Sequence, residues 1–148
     1  MKAPKANMPV LLPCACANLR RASRAVTRLY NHELQATGLE VTQYTLLMAL
    51  DLKGEAPQGE LGKLLALDTT TLTRMLAPLQ KRGWIADRPG DDRRQRLLRL
   101  TAAGREKLNS SRKHWERAQA RFQQRLGARA WRQMGGLLAE VARASQGA

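Results

Sequence analysis

The sequence predicts a mainly α-helical fold that carries a small β-wing, and three observations point to it. Apolar residues recur at three-and-four spacing over most of the chain, "GWIADRPGDDRRQRLLRLT" at 83–101 switches to two short β-rich runs around a Pro-Gly-Asp-Asp corner, and helical spacing then returns. With 148 residues and 43% hydrophobic content, the chain suffices for one domain and its core. We expect a single domain over 1–148: helices from both chain ends, about 15–36 and 102–145, around a central unit at about 42–101.

Residues 1–12 hold two Lys and two Pro without periodicity and predict a loose arm. Leu19, Ala22, Val26, Leu29 and Glu33 then recur at helical spacing, with Arg20, Arg21, Arg24 and Arg28 off that stripe. This predicts a helix over about 15–36, ended by Gly38. Thr42 is a plausible cap for a second helix, whose apolar members Leu46, Leu47, Ala49 and Leu50 run to about 53 before "KGEAPQGE" breaks the pattern. A short third helix follows at about 58–65.

Asp68 can cap a fourth helix with a buried stripe of Leu72, Met75, Leu76 and Leu79. Its other face offers Thr69, Thr70, Thr71, Thr73, Arg74 and Lys81. Consecutive β-branched threonines are poor helix formers, so their hydroxyls must be useful there, unless the face is simply solvated. A short helix, a tight turn and a second helix make a helix-turn-helix, whose second helix reads the major groove of double-stranded DNA. Gly83 stops that helix, and "WIADR" and "RLLRLT" make two strands about a corner at 89–95. From Thr101, "TAAGRE" supplies a cap; Leu108, Trp115 and Phe122 are spaced by sevens, and Trp131, Met134, Leu138 and Val141 continue the seam after Gly127. Both seams lie outside the central unit and predict a homodimer interface, the alternative being intramolecular core.

Charge narrows the partner. Lys and Arg number 26 against 12 Asp and Glu, a formal net charge of +14 that suits a polyanion. Nucleic acid leads and an anionic membrane surface trails. No apolar run approaches the roughly 18 residues of a spanning helix, and "MPVLLPCACA" is too short and proline-interrupted for a signal peptide, so a cytoplasmic location is expected. Cys14 and Cys16 sit one residue apart, which disfavours a disulfide between them, and no second Cys or His cluster completes a zinc site. No metal and no cofactor is expected. His32 and His114 read as solvated helix residues. An enzyme has little support, because no nucleophile-base set, paired carboxylates or phosphate loop can be assembled.

"LDTTTLTRML" at 67–76, "KRGWI" at 81–85 and "DDRRQRLLRLTAAG" at 91–104, in this order and spacing, resemble the MarR family of bacterial transcriptional regulators, over roughly 16–145. The resemblance implies a homodimer with a winged helix-turn-helix in each subunit and a dimerisation layer from the first and last helices. It also implies a pseudo-palindromic operator, release by a small aromatic ligand or an oxidant, and most often a repressor. The other reading is an architectural protein that binds nucleic acid through charge alone.

The wing arginines fit that picture. A narrow minor groove concentrates negative potential and favours a guanidinium. In the family's Asp-x-Arg wing pattern, matched here by Asp92 and Arg94, Arg94 is the residue to insert and Asp92 orients the wing by pairing with an arginine. Arg93 and Arg96 are assigned to phosphates. "CANLRRASRAVTRLY" at 16–30 is similar to the first helix of the family's organic-hydroperoxide-sensing branch, which places a redox-sensing thiol at Cys16 and retains one of its tyrosines as Tyr30. Arg20 and Val41 stand where two further tyrosines align, so that network is incomplete. The alternative is that both cysteines serve as small apolar residues.

Overall fold

The computed structural model describes residues 10–146. Its elements are α1 (Ala15–Leu34), α2 (Val41–Lys53), β1 (Glu55–Pro57), α3 (Gln58–Leu65), α4 (Thr69–Lys81), β2 (Ile85–Pro89), β3 (Arg96–Leu100), α5 (Ala102–Leu126) and α6 (Ala128–Ala144). Helices dominate, with one small antiparallel sheet in the order β1-β3-β2. Residues 1–9 of the expected arm lie outside the described residues. Its last residues are tied to α1: Leu12 N–H donates to Asn18 Oδ1 at 3.0 Å, and Arg21 Nη1 donates to the Val10 carbonyl at 2.9 Å.

α1 stops earlier than its pattern suggests, passing through a 3₁₀ turn over Gln35–Thr37 to Gly38, whose φ of 72° is the left-handed conformation that glycine adopts cheaply. Its buried side is also rotated from the expected stripe. Tyr30 and Leu34 are buried, Leu19 is 43% exposed, and Glu33 faces Arg117 and Arg121 instead of a core. α2 is capped by Glu40, with the Gln43 side chain accepting the Glu40 N–H at 3.1 Å; Thr42, the expected cap, lies within the first turn.

The stretch read as a break after α2 contains a strand. β1 pairs with β3, Ala56 opposite Leu98, because the buried Ala56 completes the inner face of the sheet beside Leu98 and Leu100. Three residues of strand carry no alternation long enough to detect. α3 and α4 start where expected, joined by Ala66 in the left-handed region at φ 52°. Leu72, Leu76 and Leu79 are buried against Leu61 and the α2 leucines in one core, with Met75 at its margin.

α5 divides the predicted seam. Leu108 is buried in this chain's own core, and Trp115 stacks on Tyr44 at 5.8 Å between ring centroids. That half of the seam is therefore intramolecular, a correction with a simple cause: α2 lies across it. Phe122 meets Tyr30 and Trp131 edge to face at 6.4 and 5.9 Å. Beyond Trp131, α6 buries none of its side chains in this chain, and Leu137 and Leu138 are 61% and 50% exposed.

Candidate nucleic-acid interface

The second helix of the helix-turn-helix, α4, is held from below and left open above. Asp68 caps α4 by accepting the Thr71 N–H at 2.8 Å, which satisfies one of the orphan donors of the first turn. With leucines 72, 76 and 79 turned inward, the 3.6-residue period turns Thr70, Arg74, Ala77 and Lys81 outward in a row, all exposed. Thr69 is exposed at the first position, while Thr71 and Thr73 flank the row on opposite sides. No residue within α4 is acidic. Asp68, just before it, has its carboxyl held below the usual range by the Thr71 hydroxyl and amide.

Two of the predicted contact residues are not free hydroxyls. Thr71 Oγ1 donates to Asp68 Oδ2 at 2.6 Å, and Thr73 Oγ1 accepts from Gln58 Nε2 at 2.8 Å. Gln58, at the start of α3, is a residue that sequence reasoning missed. Nothing in one dimension marks it, since the contact crosses 15 residues of chain.

The wing is a five-residue ladder from Ile85↔Leu100 to Pro89↔Arg96. Its tip closes on itself: Gly90 N–H donates to the Gln95 carbonyl at 2.8 Å and Gln95 N–H to the Asp92 carbonyl at 2.8 Å. Asp92 Oδ1 accepts the Arg94 backbone N–H at 3.0 Å. The expected pairing of Asp92 with an arginine side chain is replaced by a bond to the main chain of Arg94, because a two-residue reach suits an Asx turn. Arg96 is drawn back along the hairpin into an ion pair with Asp87. Arg93 and Arg94 are exposed and make no ion pair among the described residues. One rung below the wing's tip Arg88 grips Glu55 of β1 with two bonds, 3.0 and 2.5 Å, and holds that carboxyl below its ordinary range.

The root of the wing is anchored to α5. Thr101 caps α5 and also donates its hydroxyl to the Gly83 carbonyl at 2.6 Å, while its N–H donates to the Trp84 carbonyl at 3.1 Å. Two cations lie over the Trp84 ring, Arg82 at 5.0 Å and Lys107 at 5.2 Å from its centroid.

The cysteines occupy the other end of the molecule. Cys14, not Cys16, is the N-cap of α1, its Sγ accepting the Ala17 N–H at 3.5 Å. Cys16 is exposed in the first turn. Tyr30 lies four turns on, roughly 21 Å along the helix axis at 1.5 Å per residue, and its hydroxyl donates to Gln119 of α5. Within one chain the two do not meet. His32 is exposed as expected, whereas His114 is half-buried, its Nδ1 3.1 Å from the Glu33 carbonyl.

A short helix, a left-handed turn, a capped second helix and a hairpin wing define a winged helix-turn-helix protein. Comparison with known proteins makes this specific. The MarR family model matches residues 39–95. The HTH-type transcriptional regulator YwoH of Bacillus subtilis is 29% identical over 89 residues, covering 60% of this chain and 65% of that protein. The multiple antibiotic resistance protein MarR of Salmonella typhimurium is 37% identical over 78 residues, covering 52% of this chain and 54% of that protein. The chain thus spans half to about two thirds of these curated relatives. Among solved structures, the M. tuberculosis transcriptional regulator MosR in complex with DNA superposes with a TM-score of 0.78 at 30% identity, covering 90% of this chain and 98% of that one. The chain belongs to the MarR family, whose members are transcriptional regulators and not enzymes.

Proposed function

We propose that the protein is a sequence-specific DNA-binding transcriptional regulator, a repressor that binds a pseudo-palindromic operator as a homodimer. The observation that carries this is the outward row Thr70, Arg74, Ala77 and Lys81 on a helix buried on its opposite side, standing beside a wing whose Arg93 and Arg94 make no ion pair among the described residues. In such an arrangement α4 enters the major groove and Arg94 the adjacent minor groove, with Arg93 on phosphate. Arg96 reaches phosphate only by leaving Asp87, so its share is smaller. A MosR complex with DNA at 30% identity supports the reading.

Two features support a homodimer. α1 runs antiparallel to α5: Lys107 bonds the Thr37 carbonyl, His114 the Glu33 carbonyl, Tyr30 bonds Gln119, and Leu126 at the end of α5 lies near Ala25 and Val26. Residues 10–24 therefore reach past the end of α5 with Val10, Leu11, Leu12 and Leu19 exposed. An overhang of this length is too short to be a stable helix by itself, and a second chain would shield it. The accessible surface is 10964 Å² for 16.5 kDa, where a compact monomer of that mass exposes about 7,500 Å². The excess exceeds the roughly 800 Å² per partner of a standard interface. Release by a small aromatic ligand or by peroxide at Cys16 belongs to the same proposal, and its site would be a cytoplasmic one.

The test is selection of bound duplexes from a randomised pool, followed by titration of selected and random duplexes at one salt concentration. Selected duplexes should bind at least a thousandfold tighter, and Arg94→Ala should cost about 1 to 3 kcal/mol on them. Equal affinity for both would replace this reading with the charge-driven architectural one.

A further inference from the structure

The threonines of α4 do not all present the same chemistry outward. A free hydroxyl both donates and accepts, and rotates to suit whatever it meets. Thr71 has lost that freedom. Its proton is committed to Asp68 Oδ2 at 2.6 Å, and a carboxylate can only accept, so the oxygen of Thr71 is left to accept from outside. Thr73 is held the other way. Gln58 Nε2 occupies one lone pair of its oxygen at 2.8 Å, which leaves the hydroxyl proton free to donate outward. Thr69 and Thr70 have no side-chain hydrogen bond among the described residues.

We propose that Asp68 and Gln58, neither of them assigned to a base, are specificity-determining positioning residues that make Thr71 an acceptor and Thr73 a donor. The proposal rests on the DNA-binding reading above. An acceptor in the major groove selects the amino groups of adenine N6 or cytosine N4, whereas a donor selects guanine O6 and N7, thymine O4 or adenine N7 and rejects cytosine, whose edge offers no acceptor. Because Thr71 and Thr73 lie on opposite flanks of the helix, they address different base pairs. One position of each half-site therefore favours A or C on the contacted strand, and another disfavours C.

Isosteric substitutions reverse each hydroxyl separately. Asp68→Asn keeps the helix cap, since asparagine caps as well as aspartate, but its amide nitrogen donates to Thr71 and releases the hydroxyl proton. Gln58→Glu replaces a donor with a carboxylate that accepts from Thr73, leaving Thr73 only an acceptor outward. The experiment uses the full chain and a randomised duplex pool, sequenced before and after capture. Thr71→Val and Thr73→Val serve as backgrounds, and melting curves confirm folding. Asp68→Asn should raise the ratio of G or T to C at one position by about fivefold, and Gln58→Glu should lower that ratio at the other by about fivefold, as expected of one neutral hydrogen bond. Neither shift should survive removal of its own threonine. A Gln58→Glu profile identical to wild type, or a shift that persists in Thr73→Val, overturns the role of Gln58; the same outcomes for Asp68→Asn and Thr71→Val overturn that of Asp68. A wild type without base preference anywhere sinks the sequence-specific reading itself, which is a different failure.

Discussion

Alanine at Gly104 tests how the wing is seated on the helical layer. Gly104 is buried in the first turn of α5, against the backbone at the root of the wing. A Cβ there would stand 2.0 Å from the Trp84 carbonyl oxygen, 2.8 Å from its carbon and 3.1 Å from its Cα. Carbon and carbonyl oxygen in contact normally keep about 3.3 Å, so the two backbones must part by more than about 1 Å. The Trp84 carbonyl is held by the Thr101 N–H at 3.1 Å, and the Gly83 carbonyl by the Thr101 hydroxyl at 2.6 Å. Overpacking costs about 1 to 3 kcal/mol, and each strained hydrogen bond adds about 1 kcal/mol. The better helix propensity of alanine returns about 1 kcal/mol. The net expectation is a loss of about 3 kcal/mol, or roughly 6 to 12 °C in melting temperature for a chain of this size. Thermal melts at one protein concentration measure it, with Gly59→Ala as the control. At Gly59 a Cβ meets nothing within 4 Å, and alanine should raise stability by about 0.5 to 1 kcal/mol. If Gly104→Ala melts with the wild type or above it, the close approach of α5 to the wing root is wrong.

Other substitutions probe separate features. Ser111 is fully buried and its hydroxyl has no partner among the described residues, so Ser111→Ala should gain about 1 kcal/mol in urea unfolding; a loss would reveal a hidden partner. Ala66→Gly relieves a left-handed residue in the helix-turn-helix turn and should gain about 0.5 kcal/mol by the same assay, lowered stability arguing against that turn. Leu137→Asp combined with Leu138→Asp alters only exposed positions in one chain, so on the proposed dimer it should halve the sedimenting mass without changing helical content; an unchanged mass would remove α6 from the proposed interface. Glu33, held below its usual range first by the Arg121 hydrogen bond, and Glu55, held so by Arg88, both have folded values under their unfolded ones. Their stabilisation is complete above the unfolded carboxylate range and is lost as pH falls through the folded values. Glu55→Gln should therefore flatten the acid side of the melting profile, and an unaltered profile would show that the pair is idle.

What could be read along the chain were features whose physics is local. The caps Asp68 and Thr101, the glycine stops at Gly38 and Gly83 and the Pro-Gly-Asp-Asp corner each act within a few residues, and the structure has them all in place. α3 begins and ends where its pattern does. Periodicity was less informative where a helix has apolar residues on more than one side. In α1 it favoured Leu19 and Glu33 over Tyr30 and Leu34, because spacing does not say which stripe meets a neighbour.

The sequence by itself determined the mainly helical class, the helix-turn-helix with its wing, and which polar residues α4 and the wing leave exposed, since short-range periodicity, capping and turn chemistry carry that information. The tertiary structure decided the rest. It divided the α5 seam between this chain's own core and the free face beyond, inserted β1 beside β3, pressed Gly104 against Trp84, and drew Arg96 back to Asp87. It also brought Gln58 to Thr73 from another helix. Each of these depends on distances between residues far apart in the chain, which packing sets and spacing along the chain does not record.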